Sequence, residues 1–372
     1  MKILKAFKWL YPGMWVKRWI LLTGFGVIMV SMGFVMVLME QHPKNKALAG
    51  IIIVSGILTV ITGIKRIVRS LVAVFLPQSE DGIVDKVYKK RVLEKGPKII
   101  VIGGGTGLST LLRGLMEYTS NITAIVTVAD DGGSSGRLRK EFDVLPPGDI
   151  RNCLVALADA EPLVGKFFQY RFDEGTPLAG HNFGNLFITA LTQVTGDFDA
   201  AIKESSKVLA IRGRVLPSTL DKVVLAAEYS DGSEIVGESM IPKSGLPIKR
   251  IHLRPVNCKP TDEAVDAIRR ADVIVLGPGS LYTSIMPNLM VGKIYQEIIS
   301  SKAVKIYVCN VMTQKGETEE YKASDHLRAI IEHTAPGIVD YCVINTAKIK
   351  GEMLEKYKTE EAYPVIPDSE NL

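Results

Sequence analysis

The chain has 372 residues, 47% hydrophobic and 23% charged, which excludes a disordered composition and leaves length for a large core. Its formal charge of +5 is uneven: residues 1–95 hold 15 Lys and Arg against 5 Asp and Glu, so the remainder is mildly acidic. A mildly acidic globular part argues against a nucleic-acid surface, and the basic front needs its own explanation.

That explanation is hydropathy. Trp19–Met39 runs 21 residues without a charge, and Ala47–Ile64 runs 18 more. About 20 apolar residues cross a bilayer core as a helix, so the two stretches read as membrane spans. The polar linker Glu40–Lys46, with Pro43 to turn it, makes them a transmembrane hairpin within residues 1–76. The second span and the lack of a small-residue cleavage site disfavour a signal peptide. Lys2, Lys5, Lys8, Lys17 and Arg18 precede the first span; Lys65, Arg66 and Arg69 follow the second; the loop has only Lys44 and Lys46 beside Glu40. The positive-inside rule then gives a multi-pass cell-membrane protein whose termini and globular part are cytoplasmic. Phe7–Trp15 supplies aromatics for the headgroup layer, and Ile67–Pro77 reads as an amphipathic stretch along the inner face. Residues 77–96 read as a charged linker. Cys153, Cys258, Cys309 and Cys342 show no CxxC, metal or disulfide spacing, which fits a cytoplasmic domain.

The globular part opens on a β-branched run ending in Gly103, Gly104, Gly105, Thr106 and Gly107, with helical periodicity resuming at Leu108. A buried parallel strand that stops at glycines before a helix suits an anion, because main-chain N–H groups and the helix dipole face the same space. No Gly-Lys-Ser/Thr follows, so this is not a Walker A loop. A side chain at Gly105 is expected to fill the cradle. A second strand ends in Asp130 and Asp131, where an α/β nucleotide-binding unit places a carboxylate for a ribose hydroxyl or a metal. Ser134, Ser135, Arg137 and Arg139 follow in a second glycine and hydroxyl loop. Two helix starts rich in polar side chains come next: Asp149, Arg151 and Asn152, then His181, Asn182 and Asn185. One such start is a cap; two beside the glycine loops suggest a shared site. A hairpin turning at Asp231–Gly232 separates the halves. The second half repeats the design, with a strand ending in Gly277, Pro278, Gly279 and Ser280, then Tyr282 and Thr283. Two further buried strands end in Asn310, Thr313, Gln314 and Glu317, and in Asn345. The pattern predicts an α/β fold, a Rossmann-like, doubly wound, mostly parallel sheet over residues 97–372.

The phrases GGGTGLSTLLRGL, VTVADDGGSSGRLR, LPPGDIRNCLVALAD, GHNFGNL, LGPGSLYTSIMPNL and CNVMTQKGET resemble the YvcK-type gluconeogenesis factors, relatives of the phospholactate transferase CofD. The resemblance runs from about Pro97 to about Pro367. It implies a Rossmann-like domain that binds UDP-sugars such as UDP-N-acetylglucosamine, and a role in cell shape and wall-precursor balance during gluconeogenic growth. It also marks Tyr357 as a candidate UDP-sugar contact. Many members of that family lack membrane spans, and many continue beyond the point matching Leu372.

Three readings of this sequence stay open. The preferred one is a non-catalytic nucleotide-sugar sensor with no catalytic or metal residues assigned, whose occupancy changes a contact with a protein partner or a second copy. A second is a CofD-like transferase, in which Mg²⁺ on Asp130 and Asp131 neutralises an activated diphosphate and His181 is the sole base. A third is a dinucleotide-dependent dehydrogenase, for which no paired histidine and carboxylate is visible.

Overall fold

The computed structural model describes residues 16–39, 42–75, 91–159 and 162–371. The aromatic stretch Phe7–Trp15, residue 76 and residues 77–90 of the linker lie outside the described residues. The chain divides into two compact units, Met1–Lys89 and Lys90–Leu372.

The first unit is a helical hairpin of α1, Val16–Met39, and α2, Pro43–Phe75. Both are long and apolar enough to cross a membrane, and most of each span faces outward, unlike a core helix of a soluble protein. Small residues at seven-residue spacing form the contact: Gly26 and Gly33 on α1, and Ala49, Gly56 and Gly63 on α2. A methyl on Gly26 would lie 2.9 Å from the Gly56 carbonyl oxygen, and one on Gly33 3.0 Å from that of Ala49. Such close backbone approach is how membrane helices pair when both sides are equally apolar. Two expectations are corrected. Pro43 does not turn a linker; it opens α2 at the first helical position, where its missing N–H costs nothing. Residues 67–75 continue α2 without a break, so they are not a separate interfacial element.

In the second unit, six parallel strands form one sheet in the order β3-β2-β1-β7-β8-β9. They are β1 Ile99–Gly103, β2 Ile122–Val126, β3 Arg214–Pro217, β7 Val273–Leu276, β8 Val304–Val308 and β9 Tyr341–Val343. Their apolar runs bury both faces of the central strands under helices, as a doubly wound sheet requires. β9 departs from its expected burial: as an edge strand with one neighbour it leaves Tyr341 and Val343 exposed. A smaller antiparallel sheet, β5-β4-β6, uses β4 Val224–Tyr229, β5 Glu234–Val236 and β6 Ile248–Arg254, with the expected turn at Asp231–Gly232. Residues 91–96 pack onto this unit: Asn121 Nδ2 donates to the carbonyls of Glu94 (2.9 Å) and Gly96 (2.7 Å).

The helices that shape the crevice are α3 Gly105–Leu115, α4 Gly133–Phe142, α5 Gly148–Ala156, α6 Pro162–Gln169 and α7 Phe183–Thr195. α3 starts three residues before the expected Leu108, because its first turn needs no buried side chain. Leu108 and Leu112 then seat it on the sheet.

Candidate functional site

Ligands of open parallel sheets bind beyond the carboxyl ends of the strands, where the strand order reverses. Here the reversal lies between β1 and β7. These strands end in the two glycine joints, Gly103–Gly107 and Gly277–Ser280. The joints meet backbone to backbone. A methyl on Gly107 would lie 3.1 Å from the Pro278 carbonyl oxygen, and one on Gly279 3.2 Å from that of Gly104. Gly103 is the buried end of β1. Asn288, which carried no sequence signal, ties the first joint to the helical segment that follows the second, its Nδ2 donating to the carbonyls of Gly103 (3.1 Å) and Ser284 (2.7 Å). Asn310 Oδ1 accepts the Gly279 N–H at 3.3 Å.

No side chain caps the first turn of α3. Among the described residues the N–H groups of exposed Thr106 and of Gly107 have no partner, which leaves the positive end of an 11-residue helix open. Gly104 is crowded: a methyl there would collide with Asp149 Oδ2 and lie 3.0 Å from Thr127 Cγ2. Gly105 differs. Its φ is +69°, and a methyl would meet only Ser284 Oγ at 3.9 Å. Backbone conformation by itself therefore already requires glycine at 105, and the space beyond its missing methyl is open crevice.

One wall of the crevice is acidic. Asp149, in the first turn of α5, accepts the Gly105 N–H; burial, with Asp130 nearby, pushes its carboxyl up to about 6. Asp130 accepts the Gly132 N–H at 2.8 Å, within its own turn. Asp131 accepts the Ser239 N–H at 2.9 Å, so the segment after β5 rims the crevice. That segment brings Glu238, whose carboxyl is held well above its usual range by burial and by Asp130, Asp149 and Asp131. Among the described residues no three His, Cys, Asp or Glu side chains group to hold a metal ion.

The other wall is basic and amide-rich. Ser134 Oγ accepts from the Asn182 N–H (3.3 Å) and Asn185 Nδ2 (3.2 Å). Its one hydrogen is then left for His181 Nδ1 at 3.2 Å, which places the imidazole proton on Nε2. Burial and the Arg137 guanidinium lower the His181 pKa, which favours that neutral form. Asn182 also caps α7, its Oδ1 accepting from Gly184 (2.9 Å) and Asn185 (3.4 Å). Arg151 donates to Asn185 Oδ1 (3.0 Å) and Asn152 Oδ1 (2.6 Å), while its buried Nε has no partner. Burial, and Arg171 close by, pull Arg151 down to about 10. Arg137 donates to the Ala179 carbonyl at 2.9 Å. Ser134, Arg137, Asn152, His181, Asn182 and Asn185 thus come together as the sequence suggested.

Other predicted residues are occupied by the protein itself. Ser135 is buried against Gly148. The Ser280 hydroxyl bonds Glu317, a buried carboxyl pushed upward by burial, and Thr283 donates to Ser280 Oγ at 2.6 Å. Tyr282 is buried, with its hydroxyl 2.8 Å from that of Tyr321. Thr313 holds the C-terminal segment, donating its N–H to the Tyr363 carbonyl (2.7 Å) and accepting the Tyr363 N–H (3.0 Å). Tyr357 lies half-buried on the helix Gly351–Thr359 and makes no side-chain hydrogen bond to the joints.

The profile of the family described as 2-phospho-L-lactate transferase CofD matches residues 99–372. A putative gluconeogenesis factor of Nostoc sp. is 49% identical over 98% of this chain and 84% of its own length. One from Clostridium acetobutylicum is 45% identical over 96% of this chain and 82% of its own length. The gluconeogenesis factor of Bacillus subtilis is 55% identical over 74% of this chain and 87% of its own length. The crystal structure of protein BH3568 from Bacillus halodurans, 55% identical, superposes with a TM-score of 0.73 over 75% of this chain and 89% of that one. The Nostoc and Clostridium alignments are long enough to take in the N-terminal hairpin; the other two span about three quarters of the chain.

Proposed function

Since the chain belongs to the gluconeogenesis factor family and carries its CofD-type domain, we propose that it is a membrane-anchored regulator that binds a nucleotide sugar of the UDP-N-acetylglucosamine type. In this reading α1 and α2 anchor the chain in the cell membrane, with both termini and the globular unit in the cytoplasm. The diphosphate sits on the N–H groups of Thr106 and Gly107, at the open end of α3. Arg137 and Arg151 supply positive charge beside it. Asp130, whose hydrogen bond stays within its own turn, takes ribose hydroxyls. Occupancy alters a protein contact and so ties wall-precursor balance and cell shape to gluconeogenic growth.

The observation that carries this reading is the meeting of two glycine joints at the reversal of strand order. The CofD description favours a second reading, a transferase acting on an activated diphosphate. Against it, His181, its sole candidate base, is held in a buried hydrogen-bond network. Calorimetric titration of the detergent-solubilised chain with UDP-N-acetylglucosamine tests the proposal. Saturable binding without turnover is expected. An absence of binding contradicts it, and turnover of a nucleotide-sugar or phospholactyl donor selects the transferase.

A further inference from the structure

One end of the hairpin gathers Lys17, Arg18 and Trp19 from α1 with Lys65, Arg66 and Arg69 from α2. The small-residue ladder sets this meeting. Gly63, one turn before Arg66, lets α2 approach Thr23, one turn after Trp19; a methyl on Gly63 would collide with the Thr23 hydroxyl. The Arg66 guanidinium then lies 5.0 Å from the centre of the Trp19 ring, and that of Arg18 5.9 Å. Neither helix contains Asp or Glu. The other end of the hairpin has only Lys44 and Lys46.

A guanidinium over an indole keeps its N–H edge available for a planar acceptor. A phosphodiester fits that edge, and an indole prefers the headgroup depth of a bilayer. Basic residues beside a span are attracted to anionic lipid within a Debye length of its surface. We infer that this end of the hairpin is a selective contact for anionic phospholipid headgroups, with Arg18 and Arg66 braced on Trp19 as its centre. The inference rests on the membrane-anchor reading and adds to it a preference among lipids.

The full chain reconstituted in phosphatidylcholine vesicles supplies the test. The chain has three tryptophans, and with Trp9→Phe and Trp15→Phe in place the fluorescence of Trp19 alone reports on this end. A minor fraction of brominated phosphatidylglycerol, or of brominated phosphatidylcholine, serves as quencher. The brominated anionic lipid is expected to quench more strongly at equal fraction. Its relative affinity should fall about fivefold for each charge removed in Arg66→Gln and in Arg18→Gln/Arg66→Gln, and survive in Arg66→Lys. Equal quenching by both lipids, or an unchanged preference in the double variant, overturns the inference and leaves the anchor intact. Quenching by neither lipid overturns the anchor reading itself.

Discussion

The left-handed backbone at Gly105 offers a clean separation of strain from ligand binding. An L side chain in that region costs about 1–2 kcal/mol per residue. Gly105 has φ +69° and an open site around its missing methyl, so Gly105→Ala should pay this strain and no clash. Gly196, at the far end of α7, is a matched control with φ +72° and nothing within 4 Å of where a methyl would stand. Both variants should lower the melting temperature by roughly 2–8 °C, given about 2–4 °C per kcal/mol for a domain of about this size. Only Gly105→Ala should weaken UDP-N-acetylglucosamine, by about tenfold. The relaxed backbone there moves the Thr106 N–H and breaks the Gly105–Asp149 hydrogen bond. Thermal unfolding and calorimetry on the solubilised full chain measure both effects. An unchanged melting temperature in Gly105→Ala refutes the strain argument. A lowered one, with the same affinity as Gly196→Ala, refutes the phosphate cradle.

Asn185→Leu removes partners from both Ser134 and Arg151, and should cost about 1–3 kcal/mol in denaturant unfolding; a loss under half of that would mean the network is dispensable. Asp149 has a folded pKa of about 6 against 3.8 for the free side chain, so the folded state binds the proton more tightly. Its contribution to stability is complete below pH 3.8 and is lost as pH rises through 6, with a ceiling of about 3 kcal/mol at 1.36 kcal/mol per unit. Asp149→Asn should therefore flatten stability across that window, and an unaltered pH profile would contradict the assignment. Affinity tags at the two chain ends should both resist protease added to intact cells; cleavage of either from outside would reverse the proposed orientation.

The fold was legible where burial writes itself into local composition. The β-branched runs before Gly103 and Gly277 could only be interior parallel strands, and the polar helix starts at Asp149 and Asn182 announced helix ends facing one crevice, although only Asn182 acts as a side-chain cap. Contacts between distant segments were not legible. Glu238 reaches the crevice from a hairpin more than a hundred residues beyond Asp131, and Asn288 holds the Gly103 carbonyl from within a helix that reads as ordinary core. Hydroxyl-rich stretches misled for a related reason. Ser280 and Thr313 have the right chemistry for a ligand, but Glu317 and the Tyr363 backbone claim them first. The helix α2 outran its expected end because Lys65, Arg66 and Arg69 interrupt hydropathy without interrupting helix propensity.

A crystal structure of the chain soaked with UDP-N-acetylglucosamine bears most directly on the central claim. The account predicts diphosphate oxygens within hydrogen-bonding distance of the Thr106 and Gly107 N–H groups, between the two glycine joints. A nucleotide lodged on another surface, with those amides covered by side chains, would contradict it.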